Sequence, residues 1–118
     1  MGDIKEDKIK QVYSIAKGLH KKKWAAIDKL HTDTGMNKNS ADFFIQSALA
    51  MMDGRRYEKR TSELATRIYL ESIREDFGAK DLKKALFSLK QHIDYCEENE
   101  KTTLRGLREI RQEFLKKL

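Results

Sequence analysis

The sequence predicts an all-α protein, a compact bundle of about six helices in one domain spanning residues 1–118, and three observations support this. The 118 residues suit one hydrophobic core, because domains of roughly 100–150 residues are the commonest size. Pro is absent and Gly occurs only six times, so the chain lacks the turn residues that a β-sandwich or a loop-rich enzyme needs. Apolar residues recur at spacings of three and four, as on the buried face of a helix.

The first two predicted helices are amphipathic and separated by a basic run. The first covers residues 3 to about 19, and the run occupies residues 21–23. The apolar stripe of the second, shorter helix includes Trp24 and Leu30. Gly35 ends this helix, because glycine readily takes the left-handed conformation that a helix C-terminus often needs.

The third and fourth helices are recognised by residues that can cap a helix N-terminus. Asn37, or alternatively Asn39 or Ser40, can cap the third helix, and Thr61 or Ser62 can cap the fourth. The residues expected to face the core are Ala41, Phe44, Ile45, Ala48, Met51 and Met52 in the third helix and Leu64, Ala65, Ile68, Tyr69, Ile73 and Phe77 in the fourth.

The last two predicted helices cover residues from about 80 to 97 and from about 104 to 118, with a short break at residues 99–103. Their apolar positions again follow the helical period. The inward residues are Leu82, Ala85, Leu86, Leu89, Ile93 and Cys96 in the fifth helix and Leu107, Ile110, Phe114 and Leu115 in the sixth.

Residues 24–52 match a helix-turn-helix pattern, in which two helices meet at a steep angle around a glycine-containing turn, here at Gly35. His31 departs from the pattern, since a small Ala is the usual choice at its position. A helical corner without a binding role is the alternative, because any small bundle needs turns with Gly. The apolar residues that fit the pattern are Leu30, Met36, Ala41 and Phe44.

The early outward residues of the third helix form a candidate DNA-reading face. Asn and Gln can bridge an adenine edge, and Lys can reach guanine or a phosphate, so this face could enter a major groove. The carboxylate of Asp42 opposes that interpretation. The residues of this face are Lys38, Asn39, Ser40, Asp42, Phe43 and Gln46.

Two basic clusters flank this unit. The formal charge is +6, and residues 1–60 hold 13 basic and 8 acidic side chains, against 12 and 11 in residues 61–118. Cations on both sides of a reading element suit phosphate contacts, whereas a solvated charge run is the alternative for each cluster. Tyr57 could contact a phosphate or a base, or be a half-buried loop aromatic. The clusters are Lys21, Lys22 and Lys23, and Arg55, Arg56, Lys59 and Arg60.

No catalytic, metal-binding or cofactor-binding pattern is present in the sequence. The three His residues are scattered, and the glycines are too far apart for a phosphate-binding loop. The one Cys, Cys96, is expected to be a packing residue, and it favours a cytoplasmic protein, since no disulfide can form within the chain. The longest apolar runs are shorter than the ~20 residues that span a bilayer, so we expect no membrane association.

Six short segments carry a resemblance to a known family, at residues 35–42, 51–57, 65–73, 76–78, 92–95 and 107–110. They resemble the N-terminal helical module of bacterial HNH-type restriction endonucleases. This resemblance implies a DNA-targeting or accessory domain, attached to a nuclease, that recognises modified or foreign DNA. The His-Asn-His metal motif is missing, so cutting activity is not implied.

The sequence therefore predicts a non-enzymatic DNA-binding module of a restriction or phage-defence system. The alternative is a protein-binding module, such as a phage-encoded inhibitor or an adaptor that contacts a nuclease domain or another defence component. In that case the side chains of Phe43, Phe44, Met51 and Met52 would be exposed anchors. Pairing of the domain with itself is compatible with either hypothesis.

Overall fold

The computed structural model describes residues 6–118, and this part of the chain contains six helices and no strand. The all-α prediction is confirmed. The part of the first predicted helix before residue 6 lies outside the described residues. The helices are α1 (Glu6–Gly18), α2 (Lys23–Thr34), α3 (Lys38–Asp53), α4 (Glu63–Phe77), α5 (Ala79–Glu100) and α6 (Arg105–Leu115).

The longest helix, α5, packs against α3, α4 and α6, while α1 packs across α2, α3 and α4. The radius of gyration of 13.5 Å fits a compact chain, for which about 13 Å is typical at 100 residues. Each helix contributes a fully buried side chain to one continuous core. Examples are Ile9, Leu30, Ile45, Tyr69, Leu89 and Phe114.

The helix ends that the sequence predicted are confirmed at three places. Asn37 caps α3, and its Oδ1 accepts a hydrogen bond from the backbone N–H of Asn39 at 2.7 Å. Ser62 caps α4, and its Oγ accepts one from the backbone N–H of Ala65 at 3.0 Å. Gly35 ends α2 with φ at 73°, where a side chain would be strained.

Glu97 attaches the start of α6 to α5. Its Oε2 accepts a hydrogen bond from the backbone N–H of Leu104 at 2.8 Å, and its carboxylate pairs with the Arg108 guanidinium. These contacts lower the pKa of Glu97 to about 2, the hydrogen bond from Arg108 having the largest effect. The carboxylate is therefore ionised at neutral pH and fills the place of a helix cap, since Leu104 supplies no capping side chain.

Three residues that the apolar stripes placed in the core are exposed instead. The side chains of Trp24, Leu64 and Phe77 are 70%, 43% and 47% exposed. Trp24 and Leu64 lie in the first turn of a helix, and Phe77 is the last residue of one. Periodicity gives the direction of a side chain, but it does not show whether a neighbouring helix extends as far as that turn.

No helix within residues 6–118 combines the length and the apolar character that crossing a membrane requires.

Candidate nucleic-acid interface

The turn between α2 and α3 is closed by His31. Its Nδ1 lies 2.7 Å from the Met36 carbonyl oxygen, so the ring N–H donates across the turn. The half-buried ring therefore performs a structural task that the Ala expected at this position could not. Leu30 and Ala41 are buried, and Met36 and Phe44 pack against the core, so the corner has the inward residues that the sequence predicted.

The first turns of α3 expose most of the predicted reading face. Lys38, Asn39, Phe43 and Gln46 are exposed, while Ser40 and Asp42 are half-buried. Two of these side chains already have partners: Lys38 Nζ lies 3.5 Å from Asp28 Oδ1, and Gln46 Nε2 donates to Asp42 Oδ1 at 2.5 Å. The carboxylate of Asp42 thus orients Gln46.

The connector, which we define as residues 54–60, is held against α5 by four side chains. Each donates to a backbone carbonyl of the connector, so the loop has a fixed path although it has no regular secondary structure. The bonds run from Gln91 to Gly54 (3.2 Å), from Ser88 to Arg55 (2.5 Å), from His92 to Tyr57 (2.6 Å) and from Cys96 to Glu58 (3.8 Å).

Sequence reasoning missed this set of contacts. Ser88, His92 and Cys96 follow one another at spacings of four, so they lie on one stripe of α5, and Gln91 lies beside it. The signal that was present is the spacing of four between Ser88, His92 and Cys96 along the edge of the apolar stripe. It could not be assigned a partner, because the partners are main-chain carbonyls more than 30 positions away in the sequence.

The prediction that Tyr57 contacts DNA is wrong. Its side chain is buried, and its ring stacks on the His92 ring with centroids 3.9 Å apart and planes 13° apart. The ring fills the space between the connector and α5, so neither a phosphate nor a base can reach it. Tyr57 is instead a structural loop aromatic, and it is buried more deeply than the half-buried position considered as the alternative.

His92 and Cys96 form a buried neutral pair. Burial lowers the pKa of His92 and raises the pKa of the Cys96 thiol. The Cys96 Sγ lies 3.7 Å from Nδ1 of His92, but Nδ1 carries the hydrogen that is donated to Tyr57. Cys96 is therefore a packing residue, as predicted, and its protonated thiol is not activated as a nucleophile.

The cations of the connector are exposed, and three of them pair with nearby carboxylates. Lys59 instead places its Nζ 5.2 Å from the centroid of the Phe43 ring, and it has no carboxylate partner within residues 6–118. The three pairs are Arg55 with Asp53 at 3.3 Å, Arg56 with Glu58 at 2.9 Å and Arg60 with Glu100 at 3.2 Å.

A groove of about 540 Å³ lies between α3 and the connector. It brings together residues that the sequence assigned separately to the reading face and to the second basic cluster. Gln91 of α5 also lines it, and Glu58 is its one acidic residue. The predicted residues that line the groove are Phe43, Gln46, Arg55, Arg56 and Lys59, together with the buried Tyr57.

The first basic cluster lies at the start of α2, beside the exposed Trp24. Lys23 Nζ lies 4.7 Å from the centroid of the Trp24 ring. In the described part of the chain, neither Lys21, Lys22 nor Lys23 forms an ion pair. Trp24 is one turn from Asp28 on the same face of α2, and Asp28 contacts Lys38. This cluster therefore lies on the side of α3 that faces α2.

The histidines do not converge. His20 pairs with Asp53 at 2.6 Å, His31 closes the turn before α3, and His92 is buried beside the connector. Within the described residues, no three His, Cys, Asp or Glu side chains are grouped in a way that could hold a metal ion.

Comparisons with known proteins find no matching family model, no matching curated protein and no matching solved structure. The resemblance to the modules of HNH-type endonucleases therefore stays a prediction from the sequence.

Proposed function

We propose that this protein is a non-enzymatic DNA-binding module, with the first turns of α3 as its reading element. The observation that supports this most directly is the placement of exposed Lys38, Asn39 and Gln46 between two basic segments. Lys38 reaches towards α2, and Phe43, one turn further along α3, is covered by Lys59 of the connector. Phosphate contacts on both sides of a recognition helix fix its register on the duplex.

The ion pairs of the connector are compatible with this role. Exposed pairs of this kind contribute only about 0–1 kcal/mol each, so a phosphate can replace a carboxylate at little cost. Each phosphate that is neutralised also releases condensed counterions. Binding should therefore be strong at low salt and should weaken steeply as salt is added.

The alternative, protein-binding hypothesis expects exposed apolar anchors on α3, and three of its four candidates are not exposed. Met51 and Met52 are buried, and Phe44 packs against the core. Only Phe43 of the four predicted anchors is exposed, and Lys59 covers part of its ring. For Phe44, Met51 and Met52 the expectation of an exposed apolar anchor is wrong, because these side chains fill the space between α3 and its neighbours.

The role in a restriction or phage-defence system is also part of this proposal. It depends only on the resemblance of the sequence segments to the endonuclease modules. A targeting or accessory domain of such a system needs affinity for DNA and no catalytic group of its own.

Binding of labelled duplex DNA at about 50 and 200 mM salt tests the proposal. The double charge reversal Arg55→Glu/Arg56→Glu should weaken binding at low salt at least about tenfold, because two phosphate contacts become repulsive. The reversal Lys80→Glu/Lys83→Glu is the matched control, since it changes the net charge equally at two exposed positions of α5 outside the interface.

Equal losses in the two double variants would show that only net charge matters, and would contradict the proposed interface. Absence of binding by the unmodified protein at low salt would contradict DNA binding itself. A separate Asn39→Ala variant should reduce the discrimination between duplex sequences more than it reduces overall affinity, since Asn39 is assigned to base contact.

A further inference from the structure

The groove between α3 and the connector is lined by an aromatic ring, two carboxamides and several cations. We propose that it receives one unpaired base of the bound nucleic acid, with a base that bears an exocyclic amino group preferred over thymine. This inference rests on the proposed DNA-binding function and names the substrate class more narrowly. Its basis is the chemistry of the side chains that line the groove.

The size and the aromatic wall of the groove suit a base. Small-molecule sites have volumes of roughly 300–1,000 Å³, and this groove has about 540 Å³. Phe43 is 38% exposed although it is large and apolar. A base can stack on its ring once the Lys59 ammonium, 5.2 Å from the ring centroid, turns to a phosphate. Stacking on an aromatic side chain is the usual way in which proteins hold an unpaired base.

The two carboxamides of the groove have their orientation set by the protein. Gln46 donates its Nε2 to the Asp42 carboxylate at 2.5 Å, and Gln91 donates its Nε2 to the Gly54 carbonyl at 3.2 Å. Gln91 Nε2 also donates to the Phe87 carbonyl at 3.4 Å, while Gln46 Nε2 keeps one further N–H. Neither Oε1 accepts a hydrogen bond from the described residues, so both remain as acceptors. Acceptors in the groove match the exocyclic amino groups of cytosine, adenine and guanine, whereas thymine has no such group.

The charge of the groove suits the phosphates that flank such a base. Arg55, Arg56 and Lys59 line it, against the single carboxylate of Glu58. The contacts between the connector and α5 fix the backbone that carries these cations before any ligand binds. A preformed site loses less conformational entropy on binding than a mobile loop would.

The test compares a fully paired duplex with a duplex that has the same base pairs and one additional, bulged cytidine, and therefore one additional phosphate. The unmodified protein should bind the bulged duplex about tenfold more tightly, as expected for one stacked base. Phe43→Ala should bring this ratio close to one. Phe87→Ala is the matched control, because Phe87 is 57% exposed on α5 and lies outside the groove; it should preserve the ratio.

The outcomes separate this inference from the proposed function. Equal affinity of the unmodified protein for both duplexes would overturn the base site and leave duplex binding intact, whereas no binding to either duplex would overturn both. A ratio that survives Phe43→Ala would overturn the assignment to this groove. A bulged thymidine bound as tightly as bulged cytidine would overturn the preference for an amino-bearing base.

Discussion

His92 connects the core to the candidate interface through a single side chain. Its ring stacks on Tyr57, and its Nδ1–H donates to the Tyr57 carbonyl at 2.6 Å. The titratable groups that act on it are Cys96, Arg60 and Glu100. Because the ring is fully buried, it keeps its place only while the imidazole is uncharged. The path of the connector depends in turn on where this ring lies.

The stability of the protein should therefore fall as the pH drops below about 6.5, the ordinary pKa of His. Burial lowers the pKa of His92 in the folded protein, so the unfolded chain binds this proton at a higher pH than the folded chain. Between the pKa of His92 in the unfolded chain and its lower pKa in the folded protein, lowering the pH reduces the free energy of unfolding. This reduction stops once the pH lies below the pKa in the folded protein. Urea unfolding between pH 7.5 and 5 measures this trend.

The variant His92→Leu should remove this pH-dependent loss, because leucine does not titrate. At neutral pH it should cost about 1–3 kcal/mol, since the Tyr57 carbonyl is left without its donor. His20→Leu is the control at an exposed position, and it should keep the acid loss that His92 causes. An equally steep fall in His92→Leu would show that another group is responsible.

The helices of this protein follow closely from local sequence, whereas the interface does not. Asn37 and Ser62 cap the helices that they were expected to cap, because capping involves only neighbouring residues. The exposure of Trp24 was missed, since it depends on how far a distant helix extends. Tyr57 was expected either to contact DNA or to be half-buried, and its deeper burial comes from stacking on His92, which lies 35 positions away. The hydrogen bond from Ser88 to the Arg55 carbonyl was missed because its acceptor is a main-chain atom 33 positions away in the sequence.

The end of α2 gives a prediction at the scale of one element. Gly35 has φ at 73°, and no neighbouring atom lies within 4 Å of the place where a Cβ would stand. Gly35→Ala should therefore destabilise the protein by about 1–2 kcal/mol through backbone strain alone. Gly18, the last residue of α1, has the same open space without a positive φ.

Gly18→Ala should thus be neutral, or stabilising by up to about 1 kcal/mol, because alanine favours the helix. Thermal unfolding of both variants measures the difference. Similar changes in Tm for Gly18→Ala and Gly35→Ala would contradict a role for the left-handed conformation in ending α2.

On the scale of the whole molecule, the positive charge is divided between paired and unpaired cations. The formal net charge is +6. The arginines of the connector are balanced locally by Asp53, Glu58 and Glu100. Lys21, Lys22 and Lys23 have no such partners among residues 6–118. The cluster at the start of α2 therefore contributes an electrostatic field that no ion pair reduces.

Removing one charge from this cluster should change the salt dependence of DNA binding by a calculable amount. Lys22→Gln should make the slope of log K against log salt about 0.9 less steep, the value for one phosphate contact on duplex DNA. Lys83→Gln, at an exposed position of α5, should leave the slope unchanged. Trp24 is the only tryptophan and lies beside the cluster, so its fluorescence reports the titration directly. An unchanged slope in Lys22→Gln would mean that DNA does not contact this cluster, and binding would then be confined to α3 and the connector.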